Sequence, residues 1–195
     1  MATLHNLKTL EKVNLLPQHI VGRHPTSSNT VLDSPDASRM HATIAWDGEF
    51  WRLQDSSTNG TYVNGKRLSR GESLQLNNND EIKFANPNAD SWQLLDCEAP
   101  KSQLVPEKPG LPSIVLDGIA VLPSEEAPEI TLYMSPLGHW VCESQSGIST
   151  LESGDRVGTE DNIWRFVEAM PCAETVQIED HAVASASDVE IHFEV

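Results

Sequence analysis

The sequence is short of basic side chains: 13 Lys and Arg stand against 29 Asp and Glu in 195 residues, a formal charge of -16. A chain so acidic repels nucleic acid and anionic lipid at long range, which excludes general nucleic-acid coating. No apolar run approaches the length of a membrane span, and the opening MATLHNLKTLEKV lacks the apolar core of a signal peptide, so a cytoplasmic protein that does not engage membranes is expected. Cysteine is scarce: Cys97, Cys142 and Cys172 are odd in number, far apart and without a CxxC. They suggest neither a disulfide framework nor a zinc site, and are expected as small hydrophobes in a reducing compartment. Helical periodicity with caps is missing as well. What the chain does have is 38% apolar residues, enough for compact cores.

Those apolar residues alternate with polar ones in short runs: HATIAW (41–46), FWRLQ (50–54), SLQL (73–76), DEIKFA (80–85) and SWQLL (91–95). A period of two bounded by Gly, Asn, Asp or Pro reads as β-strands. Asp47-Gly48 and Asn64-Gly65 supply the positive φ angles that tight hairpins need. The fold class is all-β, a sandwich or barrel whose loops gather at the ends of the sheets.

The charge divides the chain. Residues 1–97 hold 9 basic and 11 acidic side chains, net -2; residues 98–195 hold 4 and 18, net -14. Between them EAPKSQLVPEKPGLP (98–112) carries Pro100, Pro106, Pro109 and Pro112 and no apolar periodicity, and reads as a linker between two domains.

The residues outside the strands of the first half carry the chemistry. Gly22-Arg23-His24 follows HIV, Ser38-Arg39-Met40-His41 precedes the first run, and the stretch from Asp55 to Gly65 follows FWRLQ. Together they offer two guanidinium forks, several hydroxyls, an amide and glycines that let backbone approach a ligand. That set suits an oxyanion, with phosphate the obvious candidate.

These motifs resemble the forkhead-associated (FHA) domain: GR at 22–23, SRMH at 38–41, WRLQD at 51–55, STNGTYVNG at 57–65, L-x-L at 74–76 and NDEIKF at 79–84, in matching order and spacing over residues 1–97. The resemblance implies an eleven-stranded sandwich that binds phosphothreonine peptides through loops at one end. It implies that Arg23, Ser38 and Thr58 contact the phosphate, that Arg39 touches peptide backbone or phosphate, and that Asn59 holds the ligand backbone. His41 is implied to tie the binding loops together, and a lone histidine with no acid or nucleophile at useful spacing is a poor catalyst. Gly22, Gly60, Asn64 and Gly65 read as backbone residues, needed for turns and close approach.

The second half, 113–195, gives further β-like runs: SIVLDGIAVL, EITLYM, HWVCES, NIWRFVEA, TVQIED and VEIHFEV. A second, smaller all-β domain is expected. ITLYMSPLGHWVCES echoes ATIAWDGEFWRLQDS, and LESGDRV echoes LNNNDEI, but Trp51 lies 25 residues before Leu76 and Trp140 only 11 before Leu151. Ordinary hairpins and a degenerate FHA-like core without the NGT loop both fit. No GR or SRxH stands at the matching places, so this half is not expected to bind phosphate. His139 and His181 have no HExxH or GxSxG around them, and the scattered acids suit a solvated surface. VEIHFEV ends on a strand pattern, which suggests a fragment of a longer protein.

The reading is a non-enzymatic, cofactor-free, phosphothreonine-dependent binding module of bacterial type in Ser/Thr kinase signalling. Its expected partner is a phosphothreonine protein, a kinase or a kinase substrate, with no nucleic acid bound through this region. Two alternatives stand beside it: an assembly protein using the same fold without phosphate, and the regulatory part of a longer transcriptional regulator.

Overall fold

The computed structural model describes residues 1–108, 110–158 and 162–169; Cys172, His181 and the TVQIED and VEIHFEV runs lie outside them. Every regular element among these residues is a strand. The first half contains eleven: β1 (Thr3–Asn6), β2 (Lys12–Asn14), β3 (Gln18–Gly22), β4 (Thr30–Val31), β5 (Ala42–Trp46), β6 (Trp51–Asp55), β7 (Thr61–Val63), β8 (Lys66–Arg67), β9 (Ser73–Gln75), β10 (Glu81–Phe84) and β11 (Ser91–Leu94). They form a sheet in the order β2-β1-β11-β10-β7-β8 and another in the order β4-β3-β5-β6-β9. The expected eleven-stranded sandwich is thus present.

Alternation explains what is buried. In β6 Trp51, Leu53 and Asp55 point inward while Arg52 and Gln54 point out, and Trp51 and Leu53 join Leu4, Ile44, Ile82 and Leu94 in one core. The same period that buries two hydrophobes also buries the Asp55 carboxylate. The Asp47-Gly48 and Asn64-Gly65 turns form as expected, with φ of +106° at Gly48, +50° at Asn64 and +78° at Gly65.

Register gathers the loops. Val21 faces Ala42 and Ala42 faces Asp55, so β3 ends, β5 begins and β6 ends at the same edge of the sandwich. Arg23, His41 and Ser56 therefore leave the sheet side by side. At the other end Gln18 faces Ala45 and Trp46 faces Trp51.

The second half builds β12 (Gln103–Pro106), β13 (Ile114–Val115), β14 (Ala120–Ser124), β15 (Ala127–Met134), β16 (Trp140–Ser144), β17 (Gly147–Thr150), β18 (Arg156–Gly158) and β19 (Ile163–Val167). These make sheets β13-β12-β19-β18 and β14-β15-β16-β17 around a separate core that includes Leu104, Leu132, Trp140, Trp164 and Phe166. The reading of 98–112 as a linker needs correction here: Gln103–Pro106 is a strand paired on both sides, and Leu104 is fully buried. Pro106, which cannot donate to a ladder, sits where β13 no longer runs alongside. SIVLDGIAVL is two strands, broken at Gly118 with φ of +93°. Cys97 and Cys142 are free and half-buried.

Candidate functional site

The three loops at one end of the first sandwich are tied to each other chiefly through His41, which is completely buried. Its Nδ1 accepts the Ser38 amide hydrogen at 3.0 Å, which leaves Nε2 as the protonated nitrogen, donating to the Gly60 carbonyl at 3.1 Å. The His41 backbone extends the tie, its N–H donating to Val21 O and its C=O accepting from Ser56. Phe84 meets the ring edge to face at 5.7 Å. Burial pushes the His41 pKa below the usual histidine range, against the Gly60 hydrogen bond and the nearby Asp55 charge. His41 is a strut with both nitrogens occupied.

Gly22 brings β3 against the second loop. A Cβ there would lie 2.1 Å from the Arg39 carbonyl oxygen and 2.8 Å from Ser28 Oγ, so only glycine fits. Arg23 N–H then donates to Ser38 O at 3.0 Å, His24 N–H to Arg39 O at 3.4 Å, and Ser28 Oγ to the same Arg39 oxygen at 3.1 Å. The third loop closes on the second where Thr58 N–H donates to Ser38 Oγ at 3.2 Å. Arg23, Arg39 and Thr58 are exposed and Ser38 is half-buried. Among the described residues neither arginine forms an ion pair.

Asn59 is placed differently from a purely ligand-facing amide. Its Nδ2 donates to Asp36 O at 2.8 Å, and its carbonyl accepts from Arg67 Nε and Nη2 at 3.3 and 3.0 Å. Among the described residues the second amide hydrogen and Oδ1 have no partner. Gly60, with φ of +94°, packs so closely on Arg67 that a Cβ would meet its Nε at 2.5 Å. Asn64 and Gly65 stand apart from these three loops, at the β7–β8 turn, where Asn64 bonds Asp80 Oδ1 and the Glu81 amide.

Sequence reasoning passed over Asp55, Ser57, Thr61 and Arg67 as site residues. Asp55 Oδ1 accepts from Ser57 Oγ and Thr61 Oγ1, both at 2.7 Å, and Ser57 Oγ accepts from Gly60 N at 2.7 Å. This buried knot shapes the loop that presents Thr58 and Asn59. The readable signal was Asp55 falling on the inward face of β6. Arg67 and Arg70 join Thr58 and Gly60 around a cavity of about 430 Å³ beside the loops.

Residues 19–85 match the model of the FHA domain. This region is an FHA domain. Among solved structures the chain is similar to Mycobacterium tuberculosis EmbR in complex with a low-affinity phosphopeptide, at 26% identity and a TM-score of 0.44, over 50% of this chain and 25% of that one. It is similar to a structure described as an analysis of phosphothreonine-dependent FHA domain interactions, at 28% identity and a TM-score of 0.43, over 48% of this chain and 94% of that one. It is also similar to the N-terminal FHA domain of S. cerevisiae Rad53p with a phosphothreonine peptide, at 18% identity and a TM-score of 0.45, over 50% and 93%. No curated protein matches the chain. No helix among the described residues is long and apolar enough to cross a membrane.

Proposed function

We propose that the FHA domain, within residues 1–97, is a phosphothreonine-dependent protein-binding module of Ser/Thr kinase signalling. Arg23, Ser38 and Thr58 hold the phosphate, Arg39 reaches the phosphate or the peptide backbone, and Asn59 holds the backbone. The partner is a phosphothreonine protein, a kinase or a kinase substrate. The observation that carries this reading is the pair of exposed guanidinium groups without ion-pair partners among the described residues, fixed by their own backbones beside the Ser38 and Thr58 contact. Guanidinium forks next to hydroxyl donors match a dianionic phosphate.

The magnitudes are adequate. Three or four charge-assisted hydrogen bonds of roughly 1.5–3 kcal/mol each sum to about 5–12 kcal/mol, a range that contains the about 8 kcal/mol of micromolar affinity. Binding rather than catalysis is the role, since His41 has both ring nitrogens committed within the fold.

An immobilised library of phosphothreonine peptides with dephosphorylated controls tests the reading. Capture of phosphorylated members alone supports it. Equal capture of both forms would replace it with phosphate-independent assembly.

A further inference from the structure

The strand registers of residues 102–169 repeat those of the FHA sandwich position by position. In the first, Trp46 faces Trp51 and Ile44 faces Leu53; in the second, Met134 faces Trp140 and Leu132 faces Cys142. Leu76 N–H donates to Trp51 O and Leu151 N–H to Trp140 O, both at 2.8 Å. Leu15 N–H donates to Ala2 O at 2.9 Å, as Leu116 N–H does to Ser102 O at 2.8 Å. On the other sheet Leu4 faces Leu94 and Ile82 faces Trp92, matched by Leu104 facing Phe166 and Val157 facing Trp164.

Even one turn is reproduced. Asp80 Oδ2 accepts from Asn77 N at 2.8 Å while Asn79 N–H donates to Leu94 O at 2.7 Å. Asp155 Oδ2 accepts from Glu152 N at 2.9 Å while Gly154 N–H donates to Phe166 O at 2.8 Å. A slip of one residue in any ladder would turn every side chain to the opposite face, so unrelated hairpins would not agree in all of them.

Two segments are missing from the second set, and they are the two that carry the phosphate-site residues. Residues 23–41, with β4, join β3 to β5, whereas Glu125 and Glu126 alone join β14 to β15. Residues 56–72, with β7 and β8, join β6 to β9, whereas Gln145 and Ser146 alone join β16 to β17. The position of Asp55, opposite Ala42, is taken by Ser144, opposite Ile130. Where the FHA domain places Arg23 and Arg39, this half places two exposed carboxylates.

We propose that residues 102–169 are a second copy of the FHA sandwich from which both phosphate-reading segments are gone, so that the chain engages one phosphothreonine at a time. The duplication rests on the registers alone; the valency rests also on the function proposed above. Like charge at Glu125 and Glu126 adds repulsion to the loss of both guanidinium groups. The second copy is fixed at the far end of the first: the buried Gln103 side chain donates from Nε2 to Leu15 O at 3.1 Å, and Leu15 lies just before β3 begins, away from the Arg23 end. The recognition loops stay open.

Nuclear magnetic resonance of the full chain tests both parts. Slow amide exchange at Leu116, Leu151 and Phe166, with cross-strand proximity of Met134 to Trp140 and of Val157 to Trp164, is expected; a different register in any of these ladders overturns the duplication. Titration with N-acetyl phosphothreonine amide is expected to leave the 124–127 and 144–147 amides unshifted. Saturable shifts there would overturn the single-site claim. Shifts missing at Arg23 and Thr58 would instead remove the phosphothreonine reading of the first copy, and the registers would stand.

Discussion

His41 and Gly60, separated by 19 positions in sequence, are joined by one hydrogen bond from the imidazole Nε2 to the Gly60 carbonyl at 3.1 Å. With Ser38 N–H on Nδ1, that ring holds the second and third loops at a fixed spacing. His41→Ala leaves a cavity in the core and the Ser38 amide without its acceptor. The expected cost is about 2–3 kcal/mol of stability, read by urea denaturation, together with weaker phosphopeptide binding in the fraction that remains folded.

Gly22→Ala probes the other contact between loops. The added methyl would overlap the Arg39 carbonyl, which is backbone and cannot rotate away. Separating β3 from residues 38–40 costs about 1–3 kcal/mol, and it displaces Arg23 relative to Ser38. At least about a tenfold loss of phosphopeptide affinity is expected from so small a misplacement, measured by titration calorimetry at a temperature where the variant is folded.

Acid should destabilise the FHA domain through its buried histidines. His19 is buried between Leu16 N–H, which it accepts on Nδ1 at 3.3 Å, and Thr30 Oγ1, 2.8 Å from Nε2, and burial lowers its pKa from 6.5 to about 4. The folded state thus binds fewer protons than the unfolded one between those values. Stability is full above the unfolded pKa and falls as pH drops from 6.5 towards 4, by up to about 3 kcal/mol for this group. The His41 pKa, also lowered by burial, acts in the same direction. A melting temperature that declines across this window in wild type, and declines less steeply in a folded His19→Gln variant, is the expected result.

The β-strands of the FHA domain and its site loops were readable because their signals are local. Period-two runs such as HATIAW and WRLQD appear as β5 and β6, and the Asp-Gly and Asn-Gly turns appear where their backbone needs place them. Gln103–Pro106 was missed because a four-residue strand that ends on a proline shows no period; most of its pairing is with β19, which is distant in sequence. Asp55 was missed for a related reason. Its role depends on Ser57 and Thr61 folding back over the end of β6, a tertiary arrangement that spacing alone does not reveal. The Asn59 bond to Asp36 O likewise depends on two loops meeting.

The most direct test of the phosphothreonine assignment compares Arg23→Ala with wild type in a fluorescence anisotropy titration of one phosphothreonine peptide selected from the library. Arg23 is exposed and makes no side-chain contact that supports the fold among the described residues, so the variant should melt as wild type does. Loss of a charge-assisted fork to phosphate should weaken binding by about a hundredfold or more. Unchanged affinity in a folded Arg23→Ala protein would contradict the account.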